Sequence, residues 1–334
     1  AMYQDRSFFG VLKVEDSFAR YPEDRGYQAE AYYAVHRLVH GTTLHGKQFL
    51  EKSLRGLPSS YYHSTGPVGM VVRNYNNDPK RNLAVIGLGT GTVATYAMPG
   101  QRLDYYDIDP VVVDISYDQS RFFTYIEDAE DRGVDVGLIL GDARLTLDPN
   151  NPLNRDADAS KHGVPRMKPL RKVYDEDKRD YVRPFPERKF GERLKADDKY
   201  GLIFADAFSS DAIPVHLITK EAVSIYLRRL HQDGIVCIHI SNRYLDLEPV
   251  LANITADLRK NGIRDEKGEL LEEVPNIVCY GMSDDDEMAP GKSRSNWVVI
   301  TRDLKNITKL LEVPLWKTDD NQLAALGLAA WPAY

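Results

Sequence analysis

Apolar and polar positions change their rhythm near residue 80, and the change divides the chain. Before it, "FFGVLKVEDSF" and "YYAVHRLVHGTTLHGKQFL" carry aromatic and β-branched residues in partial alternation, broken by glycine and proline. This pattern predicts a small β-rich module over residues 1–78. After it, apolar runs of strand length at 83–87, 103–107, 134–140, 200–206, 234–240, 275–280 and 296–301 alternate with helical stretches. Those stretches are 91–97, 110–121, 217–230, 247–260 and 304–311. The alternation predicts an α/β domain over 79–334 with a mostly parallel sheet covered on both faces. One segment, 148–198, is dense in charge and proline and poor in aliphatics, so it cannot pack a core of its own. It reads as an excursion from a sheet crossover. Two readings stand: a solvated loop, or a lid or partner-contact arm near the active site.

Composition narrows the class. A chain of 334 residues can bury a full core without covalent staples. A net charge of −7 argues against a nucleic-acid partner and is compatible with a cationic ligand. The two cysteines, Cys237 and Cys279, lie in apolar runs, as buried reduced thiols of a reducing, cytoplasmic compartment would. No apolar run reaches about 18 residues and no signal peptide opens the chain. The leading Ala1-Met2 reads as an expression remnant on a piece of a longer protein, whose membrane segment, if it has one, lies outside this sequence. The histidines and cysteines share no metal-ligand spacing, so no metal site is expected.

Candidate chemistry begins at "NLAVIGLGTGTVATYA", where a predicted strand runs into Gly87, Gly89 and Gly91. Glycine admits positive φ and lets a ligand approach the main chain. A dinucleotide fingerprint needs its third glycine at position 92, where Thr92 stands. G-x-G-x-G is instead the loop of class I S-adenosylmethionine-binding, Rossmann-like folds. Asp107, ending the second strand in "LDYYDIDP", suits both hydroxyls of a ribose. In "LILGDARL", Asp142 suits the adenine amine and the Ala143 N–H a ring nitrogen, although Asp142 also reads as a helix cap. Three such signals at successive strand ends point to an adenosyl nucleoside.

The fourth strand, "YGLIFADAFSSDAIPVHLIT", resembles the catalytic loop of the spermidine synthase family. "LVHGTTLHGKQFL" and "SSYYHSTGPVG" resemble that family's N-terminal hairpin module, and "HISNRYLDLEPVL" its divergent branch, often fused to membrane segments. The resemblance implies that Gln48 and Tyr62 hold the nucleoside and its side chain, with Asp107 on the ribose and Asp142 on the adenine. It implies Asp206 as the carboxylate that orients and deprotonates an attacking amine, with Asp211 as the second loop aspartate, five residues on where the family has three. A homodimer built through the N-terminal module is also implied.

Two departures bear on the donor. Thr90 stands where the family carries an aspartate that grips the donor amine, and Ser64 where it carries an acid after Tyr-His. Thr90, with the glycines, is expected at the cofactor, and His63, His239 and Tyr244 at the substrate. Tyr61, Tyr62 and Tyr244 offer ring faces to a cation. Three functions stay open. One moves an aminopropyl-type chain from decarboxylated S-adenosylmethionine to a small-molecule amine, releasing 5′-methylthioadenosine. A second uses intact S-adenosylmethionine for methyl transfer, cleavage or cyclisation. The third is a non-catalytic nucleoside sensor.

Overall fold

The computed structural model describes residues 1–22, 30–118, 122–151, 173–175, 180–182, 199–207, 213–241, 245–287, 289 and 291–312. Four strands open the chain: β1 (Tyr3–Ser7), β2 (Gly10–Pro22), β3 (Glu30–His40) and β4 (Thr43–Phe49). Each pairs antiparallel with the next. Alternation sends Leu12, Val14 and Leu38 into the main core, while Ala19, Val35 and Phe49 make a small cluster apart from it.

Helix α1 (Pro67–Tyr75) lies in a stretch expected to be β-rich. Its valines favour strands, but Pro67 suits a first helical turn, and Val68, Met70, Val71 and Val72 all enter the main core. Burial overrides propensity here.

The remaining strands are β5 (Asn82–Ile86), β6 (Arg102–Asp107), β7 (Asp135–Leu140), β8 (Val173–Asp175), β9 (Asp180–Val182), β10 (Tyr200–Ala205), β11 (Leu230–His239), β12 (Ile263–Arg264), β13 (Leu270–Glu272), β14 (Val278–Asp284) and β15 (Ser295–Thr301). Seven of them form one sheet in the order β14-β15-β11-β10-β5-β6-β7. β15 is antiparallel to both of its neighbours, and every other adjacent pair is parallel. Successive residues feed two cores: Leu83 and Val85 of β5 go to one face, Ala84 and Ile86 to the other. Leu202 and Phe204 of β10 separate likewise from Ile203 and Ala205. Continuous apolar runs are what a sheet covered on both faces requires.

The other helices are α2 (Pro110–Val113), α3 (Tyr125–Asp131), α4 (Ala143–Leu147), α5 (Lys220–Arg229), α6 (Glu248–Asn261) and α7 (Leu304–Glu312). The helix expected over 91–97 is a 3-10 turn, Thr92–Tyr96, and the one expected over 110–121 is α2 followed by a π turn, Asp114–Asp118. α5 starts later than position 217 because the Thr219 side chain caps it, accepting from the Ala222 N–H at 3.3 Å. Of the charged excursion, β8 and β9 pair with each other, while 152–172, 176–179 and 183–198 lie outside the described residues and with them the lid reading. No described helix is long and apolar enough to cross a membrane. Cys237 and Cys279 are free thiols.

The chain steps from β5 to β6 on one side and returns to β10 on the other. Such a reversal opens a crevice at the carboxyl ends of the strands.

Candidate active site

The glycine loop leaves β5 at Gly87, whose φ is +96°. A Cβ there would lie 2.3 Å from the Asp206 carbonyl oxygen. Gly89, at φ +52°, packs as closely on the N-terminal sheet, with a Cβ placed 2.7 Å from the His45 carbonyl oxygen. The bare main chain therefore serves the protein's own close packing as well as the crevice, which both glycines line.

Asp107 ends β6 and holds that loop in place. Its Oδ2 accepts from the Leu88 N–H at 2.7 Å and its Oδ1 from the Asp109 N–H at 2.8 Å. Burial pushes its carboxyl up to about 6, against the pull of those N–H groups. Asp109 caps α2, accepting from the Val111 N–H at 2.9 Å, and takes Ser7 Oγ of β1 at 2.6 Å, which ties the N-terminal sheet to the crevice. After β7, Asp142 caps α4 through the Arg144 N–H at 2.8 Å, and its other oxygen is 3.4 Å from His216 Nε2.

Asp206 follows β10 and differs in kind. Its Oδ1 is 2.6 Å from His239 Nδ1, and its Oδ2 accepts from Tyr62 Oη. The His239 ring is stacked against Tyr61, with centroids 4.5 Å apart and planes at 26°, and against Trp297, at 4.6 Å and 21°. Its Nε2 is 2.8 Å from Ser241 Oγ. Burial, and then the Asp206 charge, raise both Tyr61 and Tyr62 well above the usual phenol range, so both keep their protons.

These strand ends enclose a cavity of about 240 Å³. Gly87, Gly89, Asp107, Asp142, Ala143 and Asp206 line it, together with Tyr61 and with His40 and His45 from the N-terminal sheet. Four carboxylates, Asp107, Asp109, Asp142 and Asp206, face it, and no lysine or arginine does among the described residues. Burial holds His45 down to about 4, although Asp206 pulls the other way, so the ring is neutral near pH 7. Its Nε2 is buried with no hydrogen-bond partner.

Other expected residues stand elsewhere. Gln48 does not line the cavity. Its amide donates to the Arg55 carbonyl and to Thr124 Oγ1, both at 3.0 Å, and accepts from the Thr124 N–H at 2.8 Å, so it joins β4 to the start of α3. Thr90 is buried, 2.9 Å from Thr92 Oγ1 and pressed against Gly46. Gly91 opens the 3-10 turn against Ile126. His63 closes a local turn, its Nδ1 accepting from the Thr65 N–H at 3.2 Å. Tyr62 and His239 reach the cavity through Asp206 rather than by lining it. Asp211 and Tyr244 lie outside the described residues.

The sequence reading did not single out Asp109, Trp297 or Ser241. For Asp109 a signal existed: an aspartate before Pro110 is the pattern of a capped helix start. For the other two none did.

A probable spermidine synthase from Corynebacterium glutamicum ATCC 13032 matches over 98% of this chain and 94% of its own, with a TM-score of 0.50 at 12% identity. The chain has a spermidine synthase-like fold. The match includes the N-terminal antiparallel sheet as well as the sheet that bears the crevice. The spermidine synthase from Thermotoga maritima covers 95% of this chain and 87% of its own, with a TM-score of 0.41 at 11% identity. An O-methyltransferase from Bacillus cereus, in complex with SAH, covers 70% of this chain and 81% of its own, with a TM-score of 0.35 at 13% identity. No protein-family model and no curated protein matches the sequence.

Proposed function

We propose that this protein transfers an aminopropyl-type chain from decarboxylated S-adenosylmethionine to a small-molecule amine, releasing 5′-methylthioadenosine. The observation that carries the reading is the setting of Asp206. Asp107 is engaged by main-chain N–H groups, and Asp109 and Asp142 cap helices. Asp206 lines the cavity and is held by side chains, Tyr62 and His239 among them, rather than by a helix end.

In this reading the ribose hydroxyls donate to Asp107, and the adenine lies toward Asp142 and Ala143. The sulfonium chain extends toward Asp206. The amine lone pair attacks the chain carbon bonded to sulfur; the carbon–sulfur bond breaks, and its electron pair neutralises the sulfur. The amine must first give up a proton, and Asp206 accepts it. Tyr61 presents its ring face to the cation.

Charge selects the donor. A carboxylate on the donor chain would approach a cavity with four carboxylates and no lysine or arginine among the described lining residues. One such like-charge approach at about 4 Å costs about 4 kcal/mol at an effective dielectric near 20. A decarboxylated donor, with two positive charges and no carboxylate, gains more than an intact one with a single net positive charge.

Mass spectrometry of products tests the reading. Decarboxylated donor with a panel of diamines is expected to give methylthioadenosine, and Asp206→Asn to cut the rate about 10²- to 10⁴-fold while methylthioadenosine still binds. S-adenosylhomocysteine formed from intact donor would replace the reading with methyl transfer. Nucleoside binding with no turnover of either donor would leave a sensor.

A further inference from the structure

His239 does not line the cavity, yet its side chain is held at every polar atom. Its ring is stacked against Tyr61 and Trp297, and each nitrogen has a partner: Asp206 Oδ1 at 2.6 Å from Nδ1 and Ser241 Oγ at 2.8 Å from Nε2. Strand periodicity explains the second contact, since residues two apart in an extended chain share a face. Ser241 Oγ also accepts from the Asn296 N–H at 2.9 Å. It does so where β11 ends, just past the last main-chain bond to β15, from the Ile240 N–H to the Asn296 carbonyl at 2.8 Å.

For an ionised Asp206 and a neutral His239 ring, hydrogen-bond accounting gives the direction of this chain. An ionised carboxylate only accepts, so His239 Nδ1 carries the proton. A neutral ring then presents a lone pair at Nε2, and the Ser241 hydroxyl supplies the hydrogen. We propose that His239 and Ser241 are positioning residues acting on Asp206 through one polarised chain: Asn296 N–H to Ser241 Oγ, Ser241 O–H to His239 Nε2, and His239 Nδ1–H to Asp206 Oδ1. The stacked rings stop His239 from turning. With Tyr62 on the other oxygen, the Asp206 carboxylate, which lines the cavity, is pinned from both sides. The catalytic consequence rests on the function proposed above; the hydrogen-bond chain does not.

Two measurements on the full chain test the proposal. Long-range proton–nitrogen correlation on protein labelled at histidine nitrogen reads the tautomer of His239 with no substrate present. The expected result is a proton on Nδ1, far downfield and lost in Asp206→Ala; a neutral ring protonated at Nε2 overturns the proposal. In turnover, His239→Ala is expected to lower kcat about a hundredfold, as a misplacement of about 1 Å does, with donor KM within threefold. His239→Asn, whose amide nitrogen takes the place of Nδ1, is expected to recover at least tenfold of that loss. Ser241→Ala is expected to lower kcat about three- to tenfold alone and not at all in the His239→Ala background, because members of one chain are not additive. Additive losses, or a loss confined to KM, overturn the catalytic role. Absence of turnover by the wild type falls on the proposed function, and the tautomer still decides the hydrogen-bond chain.

Discussion

Gly87→Ala drives a wedge between β5 and β10 at the floor of the crevice. Two costs arise together. The first is conformational: a φ of +96° suits glycine and costs other residues about 1–3 kcal/mol. The second is steric. The new methyl would sit 2.3 Å from the Asp206 carbonyl oxygen and 2.8 Å from its carbon, so the two backbones must part by about 1.1 Å to reach ordinary contact. Both atoms are main chain, and no rotamer change relieves them. Overpacking of this kind costs about 1–3 kcal/mol, which brings the total to about 2–6 kcal/mol. The displacement falls on the residue whose carboxylate faces the cavity, where 1 Å of error is worth about 10²-fold in rate. Differential scanning calorimetry is expected to show Tm lower by about 3–9 °C, and methylthioadenosine titration a weaker complex. Gly91→Ala is the internal comparison. Its methyl meets the side chain of Ile126 at 2.8 Å, which can shift, so its loss is expected to be smaller. Equal stability of Gly87→Ala and wild type, with unchanged binding, would refute the packing argument.

Three further outcomes are expected. Burial raises the Asp107 carboxyl from its ordinary 3.8 to about 6, so folding favours its neutral form: its contribution to stability improves as pH falls through 6 toward 3.8 and is lost as pH rises through 6. Ribose hydroxyls donate to the carboxylate, so methylthioadenosine affinity by calorimetry should fall up to tenfold per unit below about pH 6 and hold steady above it; a flat profile contradicts that contact. Asp104→Ala removes a buried acceptor from Arg102 Nε, 2.8 Å away, and from Tyr200 Oη, 2.9 Å away, while Tyr200 keeps Tyr106 Oη at 2.6 Å, and chemical denaturation is expected to register about 1–3 kcal/mol, with no measurable loss refuting a structural role. His45→Ala empties part of the cavity wall but removes no hydrogen bond from Nε2, so Tm should move by less than for Asp104→Ala, with a larger fall showing that the ring is structural.

The strand-end carboxylates were legible in the sequence because each follows an apolar run of strand length, and alternation with helices places such ends on one edge. Asp107, Asp142 and Asp206 stand there, beside Gly87 and Gly89. A local pattern carries this information, since a residue's distance from the end of its own strand is a property of the chain nearby. What those residues touch depends on which strands become neighbours, and the order β14-β15-β11-β10-β5-β6-β7 is not the order of the sequence. That order brings His239 beside Asp206, 33 positions earlier, and the packing of the segment between β4 and α1 brings Tyr62 to the same carboxylate across 144. Only the packing of the N-terminal sheet turns Thr90 away from the cavity and satisfies Gln48 within the protein. Helix α1 escaped detection for a related reason: its valines follow strand propensity, and the partners that make them helical lie more than two hundred residues away in β15 and α7. The chain by itself therefore determined the layered α/β plan and the acidic edge of its sheet, both written in short-range periodicity. Tertiary structure alone decided which acid is held free of caps to face the cavity and which glycines are obligatory, because contacts between strands distant in sequence leave no periodic trace in it.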